Sequence, residues 1–296
     1  MTGFVFLDKP EGITSFTAAR RVRGILKAGK TGHTGTLDPM ATGVLPVMIG
    51  GATRFSDYLP THDKRYTAVI RLGVTTDTLD VTGRVLSQRE AEVSSESFAR
   101  EAESFIGVIS QIPPMFSAVS RDGVRLYKLA RQGIEVEREP REVTIYSLEV
   151  LDSFPGRNEY VIDVSCSAGT YIRSLAADIG ERLGCGGILT SLRRTSANGV
   201  DISRTVTLEE LEQAAANSEA EKLIHPVDEM LGAYPRVTVS QKQAVRFSNG
   251  GALDVERVRQ LAGQGLYRVY SPEERFLGLG SADENTLRVA KLLIDT

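Results

Sequence analysis

Between Gly32 and Ile49 the chain passes from a glycine-rich polar loop into an apolar run, and this transition limits the folds open to it. The loop reads Gly32-His33-Thr34-Gly35-Thr36-Leu37-Asp38-Pro39-Met40-Ala41-Thr42-Gly43. Val44 to Ile49 then reads as a buried strand. Glycine permits positive φ and close backbone approach, and an Asp-Pro step favours the start of a turn. Asp38 is therefore offered on a loop that feeds a core strand. Its carboxylate has two readings: a turn or helix-cap acceptor, or a catalytic group displayed on a rigid scaffold.

A chain of 296 residues is long enough for two domains. With 41% hydrophobic and 25% charged residues it has the makings of a real core. No apolar run approaches the roughly 20 residues of a membrane span. The start, Met1 to Asp8, has neither the basic nor the long apolar region of a secretory signal. Cys166 and Cys185 are too few for a disulfide framework or a four-ligand zinc site. They read as small buried hydrophobes of a reducing compartment, so a cytoplasmic protein is expected. The net charge of −3 gives no global signal for nucleic acid, but 27 Arg against 8 Lys favours bidentate phosphate contacts and base stacking. Local clustering decides between these readings.

Phe4 to Leu7 reads as a first strand, and Ser15 as the cap of a helix from Phe16 to about Lys27. Phe16, Ala19, Val22 and Leu26 fall on one face; Arg20, Arg23 and Lys27 share another, either solvated or tracking phosphates. Tyr66, Ala68, Ile70 and Leu72 alternate as a half-buried strand, followed by a polar loop over Thr75–Asp80. Ser94 to Ile106 reads as an amphipathic helix with Phe98, Ala102 and Phe105 on its apolar face. Residues 117–142 read as an exposed excursion carrying a short helix, Arg121 to Gly133, with Arg121, Arg125 and Lys128 on one face. Strands are expected at Val143–Leu151, Tyr160–Ser165 and Ile188–Leu192. Between the last two lies a helix with Ile172, Leu175, Ala176, Ile179 and Leu183 inward. Arg173 stands in its first turn, where a cation opposes the helix dipole; it either faces water or has an anionic partner. Capping boxes at Thr207–Glu210 and Ser240–Gln243 start two further helices, the first running to about residue 221. Strand-like runs follow at Leu266–Tyr270, Phe276–Leu279 and Leu287–Leu293.

Several site types are absent. The sequence has no metal-spaced His/Cys/carboxylate cluster, no G-x-S-x-G elbow, no Walker loop and no G-x-G-x-x-G after the first strand. What remains is an aspartate on a glycine loop, an arginine opening a helix, a strand tyrosine and separated basic patches.

The segment Gly32–Gly43 closely resembles the catalytic motif of the TruB family of tRNA pseudouridine synthases, with Met40 where leucine is more usual. Leu7-Asp8-Lys9-Pro10, Asp63-Lys64-Arg65-Tyr66 with Thr75-Thr76-Asp77-Thr78, Gly169-Thr170-Tyr171-Ile172-Arg173, and Gly184 through Arg194 resemble the family's other motifs in order. The resemblance implies an α+β fold: a mixed, mainly antiparallel sheet flanked by helices, the pseudouridine synthase fold, with a small C-terminal β-rich PUA-like domain. Residues 1–228 would form the catalytic domain, 117–142 its thumb-like RNA-contacting insertion, and 229–296 the RNA-binding unit. The implied activity is isomerisation of uridine-55 in the T loop of tRNA, flipped out of its stack, with no cofactor and no metal. Guide-dependent relatives share the Asp loop, but the thumb-like excursion at 117–142 and the lack of long basic tails favour action without a guide RNA, and a monomer is expected. The resemblance makes Asp38 the essential acid, Arg173 its partner, and Tyr66 the residue that stacks on the base. His33 would pack in the gap beside the flipped nucleotide, Tyr171 and Leu192 would line the pocket, and Lys9 would support the loop. Arg20, Arg23, Arg121, Arg125 and Lys128 are the expected RNA contacts.

Overall fold

A computed structural model describes residues 1–121, 123–259 and 261–294. In chain order the first half holds β1 (Gly3–Lys9), α1 (Ser15–Ile25), β2 (Thr31–His33), β3 (Thr42–Ile49), β4 (Lys64–Leu72), β5 (Val74–Thr76), β6 (Val85–Gln88), α2 (Ser95–Glu103) and β7 (Gly107–Gln111). Then come β8 (Ser120–Arg121), β9 (Val124–Arg125), α3 (Leu126–Ala130), β10 (Arg141–Phe154), β11 (Glu159–Cys166), α4 (Ile172–Arg182), β12 (Gly187–Ala197), β13 (Val200–Asp201) and α5 (Leu208–Ala216). The last part holds β14 (Arg236–Thr238), α6 (Gln241–Ser248), β15 (Leu253–Asp254), β16 (Gly265–Tyr270), β17 (Phe276–Ala282) and β18 (Thr286–Leu292). Among the described residues no helix is long and apolar enough to cross a membrane.

The main sheet runs β1-β3-β12-β4-β11-β10-β7, with β2 paired to β3 and β13 to β12. It is antiparallel except where β12 meets β3. The period-two pattern of β4 buries Tyr66, Ala68, Ile70 and Leu72 against α2 and α4, with Phe98, Ala102, Ile172, Leu175, Ala176 and Ile179 in the same cluster. β1 and β3 pack on α1 and α5 through Leu7, Leu45, Val47, Ala18, Val22 and Leu211. A second sheet, β14-β16-β17-β18-β15, follows. It shares an apolar cluster with β1, β3 and the 3-10 segment Gly50–Tyr58, in which Phe4, Phe55, Tyr270 and Phe276 take part. Both expected capping boxes form.

Several local expectations change. The cap of α1 is Thr14, whose side chain accepts from the Thr17 N–H, while Ser15 is buried inside the helix start. Its inward face is accordingly Ala18, Ala19 and Val22 with Leu26 beyond, and Phe16 is exposed. Thr75 and Thr76 belong to a β5–β6 hairpin and not to a free loop. The expected helix from Arg121 to Gly133 is a β8–β9 hairpin followed by the five residues of α3. Arg125 therefore lies in extended backbone before α3, which removes the common helical face it was to share with Arg121 and Lys128. The side chain of Arg121 lies outside the described residues. The helix after Thr207 stops at Ala216, followed by a 3-10 turn at Ala220–Leu223. β12 extends through Arg193 and Arg194 to Ala197, because β4 on one side and β3 on the other keep pairing with it.

Candidate active site

The loop before β3 is gripped from three elements. From β1, the fully buried Lys9 donates its Nζ to the carbonyls of Pro10 (2.7 Å), Ile13 (2.8 Å) and Pro39 (3.4 Å). From α1, Ser15 Oγ accepts from the Leu37 N–H (2.7 Å) and donates to the Leu37 carbonyl (3.1 Å). From β12, the fully buried Arg194 donates to the carbonyls of Val44 (2.7 Å), Gly35 (3.2 Å) and Thr36 (3.4 Å). Leu37 and Ala41, on either side of Asp38, are themselves buried in the core cluster that holds Tyr66, Ile172 and Leu192. A loop with these anchors presents its carboxylate in one place.

Asp38 meets the arginine that opens α4. Arg173 Nε lies 2.8 Å from Asp38 Oδ2, and Nη2 donates to Oδ1 at 3.2 Å, a two-pronged pair. The guanidinium is 3% exposed and the carboxylate 31%, so the cation is sealed behind an anion that solvent can reach. Two further donors are used: Nη1 to the Thr78 carbonyl at 2.9 Å and Nη2 to the Phe116 carbonyl at 2.8 Å. Asp80, also buried, lies 3.9 Å from Arg173 Nε and accepts through Oδ1 from the hydroxyls of Thr78 and Thr82 and the Thr82 N–H. A cation at a helix start is unfavourable without anions, and Arg173 has two. The turn is tight enough that Leu79, between Thr78 and Asp80, adopts a φ of +62°, rare for a branched residue.

Burial pushes the Asp38 carboxyl above its ordinary value, the Arg173 guanidinium pulls it down, and Asp80 pushes it up again. The balance is upward. Burial lowers Lys9 to about 8, with Asp38 opposing and Arg194 reinforcing the fall. Burial and then Arg194 lower His33, whose Nδ1 is buried with no hydrogen-bond partner. Burial raises the Tyr66 hydroxyl, which Arg194 partly offsets.

Asp38, Arg173, Tyr66 and Leu192 thus converge, with Leu192 and Tyr66 both nearly covered. Lys9 reaches the loop backbone and not solvent. Tyr171 caps α4, its N–H and carbonyl bracketed by the Gln111 amide at 2.7 and 3.1 Å. Arg20, Arg125 and Lys128 are exposed. Arg23 is exposed too, but its Nε donates to the Ala28 carbonyl just beyond its own helix. Arg194, Asp80 and Gln111 escaped notice in the sequence as parts of this arrangement. Asp80 had a usable signal, a second acid in the Thr75–Asp80 run. Arg194 closed the Gly184–Arg194 motif, but nothing there told it from Arg193; Gln111 had no signal, because only its long-range partner marks it. Among the described residues, no group of three or more His, Cys, Asp or Glu is placed to hold a metal ion. An ionised carboxylate, fixed by a buried fork and open on one side, can act as a nucleophile or as a base.

Comparison with known proteins covers nearly the whole chain. Residues 23–172 match the model "TruB family pseudouridylate synthase (N terminal domain)", 173–232 "tRNA pseudouridylate synthase B C-terminal domain", and 235–293 "Pseudouridine synthase II TruB, C-terminal". The chain is 46% identical over 288 residues to a tRNA pseudouridine synthase B of Pseudomonas putida (strain GB-1), covering 96% of this chain and 93% of that one. It is 42% identical over 297 residues to a tRNA pseudouridine synthase B of Clostridium kluyveri, covering 99% and 100%. A solved Cbf5-Nop10-Gar1 complex contains a similar fold, with a TM-score of 0.75 at 26% identity over 99% of this chain and 85% of that one.

Proposed function

The chain belongs to the TruB family and is a tRNA pseudouridine synthase, an isomerase with the pseudouridine synthase fold and a PUA-like C-terminal sheet; from that premise we propose that it converts uridine-55 in the T loop to pseudouridine, as a single chain, in the cytoplasm, without a guide RNA. In this reading residues 1–228 are the catalytic unit, with 117–142 as its RNA-contacting insertion, and 229–296 add an RNA-binding unit. The observation that carries it is the Asp38 carboxylate, partly open to solvent and held from behind by the buried Arg173.

The reaction breaks the bond from uracil N1 to the sugar C1′, turns the ring, and joins C1′ to C5. The C5 proton leaves and N1 gains one, so nothing is oxidised or reduced. A T-loop uridine is reached only by flipping it out. Asp38 then adds to the ring, attacks the sugar or abstracts a sugar proton. Each of these uses requires the ionised form that Arg173 favours. Tyr66 supplies a stacking face for the uracil, worth about 1–3 kcal/mol, and in this reading its hydroxyl oxygen takes the C5 proton as it releases its own to solvent. Leu192 and Tyr171 line the pocket, and His33, kept neutral, packs beside the flipped nucleotide. Lys9 acts through the loop carbonyls that it holds.

Independence from a guide is supported by identities of 42–46% over almost the full length of relatives described as tRNA pseudouridine synthase B, against 26% to a chain solved in a Cbf5-Nop10-Gar1 complex. The test is tritium release from an unmodified tRNA transcript labelled at uracil C5. Release by the protein alone, lost when uridine-55 is changed to cytidine, is expected. Release only after a guide RNA is added, or none at all, overturns the reading.

A further inference from the structure

Phe16 is the most exposed large aromatic side chain among the described residues, at 67%. Nothing in the packing of α1 uses it, and burying a phenylalanine elsewhere on the helix would have gained about 2–3 kcal/mol. Its position is close to the candidate site. Its neighbour Ser15 is locked to Leu37, the residue before Asp38, by the pair of hydrogen bonds already described. The Gly12 N–H donates to the Pro39 carbonyl, the residue after Asp38, at 2.8 Å. The start of α1 and the Asp38 loop are one rigid frame, and Phe16 projects from its rim.

The surroundings identify the ligand chemistry. The Arg20 guanidinium lies over the Phe16 ring, 6.0 Å from its centroid. Arg23, Lys27 and Lys30 are exposed further along, and no acid occupies the first turn of α1. An open aromatic face in a cationic field suits a base on a phosphate backbone, since stacking and phosphate attraction act together there. An apolar protein partner would gain nothing from the flanking cations.

We propose that Phe16, flanked by Arg20, is a stacking platform for a nucleotide next to the target uridine in tRNA. The inference rests on the reading above, that the T loop settles over Asp38. It assigns Phe16 to substrate binding and leaves the chemistry to the pocket.

The chain has no tryptophan, so Phe16→Trp introduces a single indole at this position. Its fluorescence is expected to be quenched as unmodified tRNA is added, along the same curve as retention of labelled tRNA on filters. Phe16→Leu, which keeps apolar bulk without a π face, should raise KM about 5- to 150-fold, the loss of one base–aromatic stack, with kcat and Tm unchanged. Phe16→Tyr should restore the wild-type KM. The Phe16→Leu effect should persist at high salt, whereas that of Arg20→Ala should fade. An indole unaffected by tRNA that filters show to be bound, or a wild-type KM in Phe16→Leu, overturns the proposal. Tritium release by the same variants then shows that the proposed function stands without it.

Discussion

Arg173 reaches Asp38 with two nitrogens at 2.8 and 3.2 Å, across 135 residues of sequence. Asp38→Asn should abolish pseudouridine formation while tRNA retention on filters stays within about twofold. Arg173→Lys keeps a charge but replaces a planar fork with a point, and should lower tritium release by about 10²-fold, the usual scale for losing one aligned donor in an active site. Near-normal turnover in either variant would make the pair a purely structural one.

Two neighbours push the Asp38 carboxyl in opposite directions, which gives a signed pH test. The active form is ionised and its pKa is raised above 3.8. Activity must therefore fall as pH drops through a value above that of an ordinary aspartate. Asp80 raises this pKa, so Asp80→Asn should move the acid limb to lower pH; Arg173 lowers it, so Arg173→Gln should move the residual activity's limb to higher pH. A single-turnover pH–rate profile of the three proteins checks both signs.

Lys9 carries a stability signature. Burial depresses it from 10.5 to about 8, so between these values the unfolded chain binds more protons than the native one. Stability from this group therefore rises with pH across that window and is lost as pH falls through about 8. Urea unfolding of wild type and Lys9→Met at pH 7.5 and pH 10 should show the wild type gaining relative to the variant. Lys9→Met also removes the Nζ donor from the Pro10 and Ile13 carbonyls and leaves Pro39 with the Gly12 N–H alone, and should lower kcat more than it weakens tRNA binding.

Gly43 adopts a φ of +102°, and a Cβ there would fall 2.2 Å from the Arg194 carbonyl oxygen on β12. Gly43→Ala should cost about 1–3 kcal/mol for the backbone and about as much again for the overlap, read as a Tm drop of roughly ten degrees or more. Gly12→Ala is the control: φ is +84° but nothing lies within 4 Å of the added carbon, so only the backbone cost should appear.

Phosphate contacts predict a salt response. tRNA affinity should fall steeply between low and physiological salt, with a slope near −0.7 to −0.9 per phosphate neutralised. Arg20→Ala and Arg125→Ala should each flatten it by roughly one such step. A flat wild-type response would remove both from the RNA surface.

The local rules of the chain were legible in its sequence. The alternation of β4, the inward face of α4 and the capping boxes at Thr207 and Ser240 are interactions among residues a few positions apart, and all form as their spacing requires. So too were Asp38 on its loop and the need of Arg173 for an anion. The motif resemblance named Asp38 as that anion; what surrounds the pair was decided by tertiary structure. Arg193 and Arg194 look alike at the end of β12. Because successive strand residues point to opposite faces, Arg193 pairs with Asp8 near solvent while Arg194 is wholly buried among the carbonyls of the Asp38 loop. Ser15 and Phe16 exchange their expected places for a similar reason: helical periodicity gives a spacing, but the side of α1 that meets the sheet is set by β1 and β3. Periodicity acts within one element. Burial and partner choice are set by the elements that pack against it, and those arrive from distant parts of the chain.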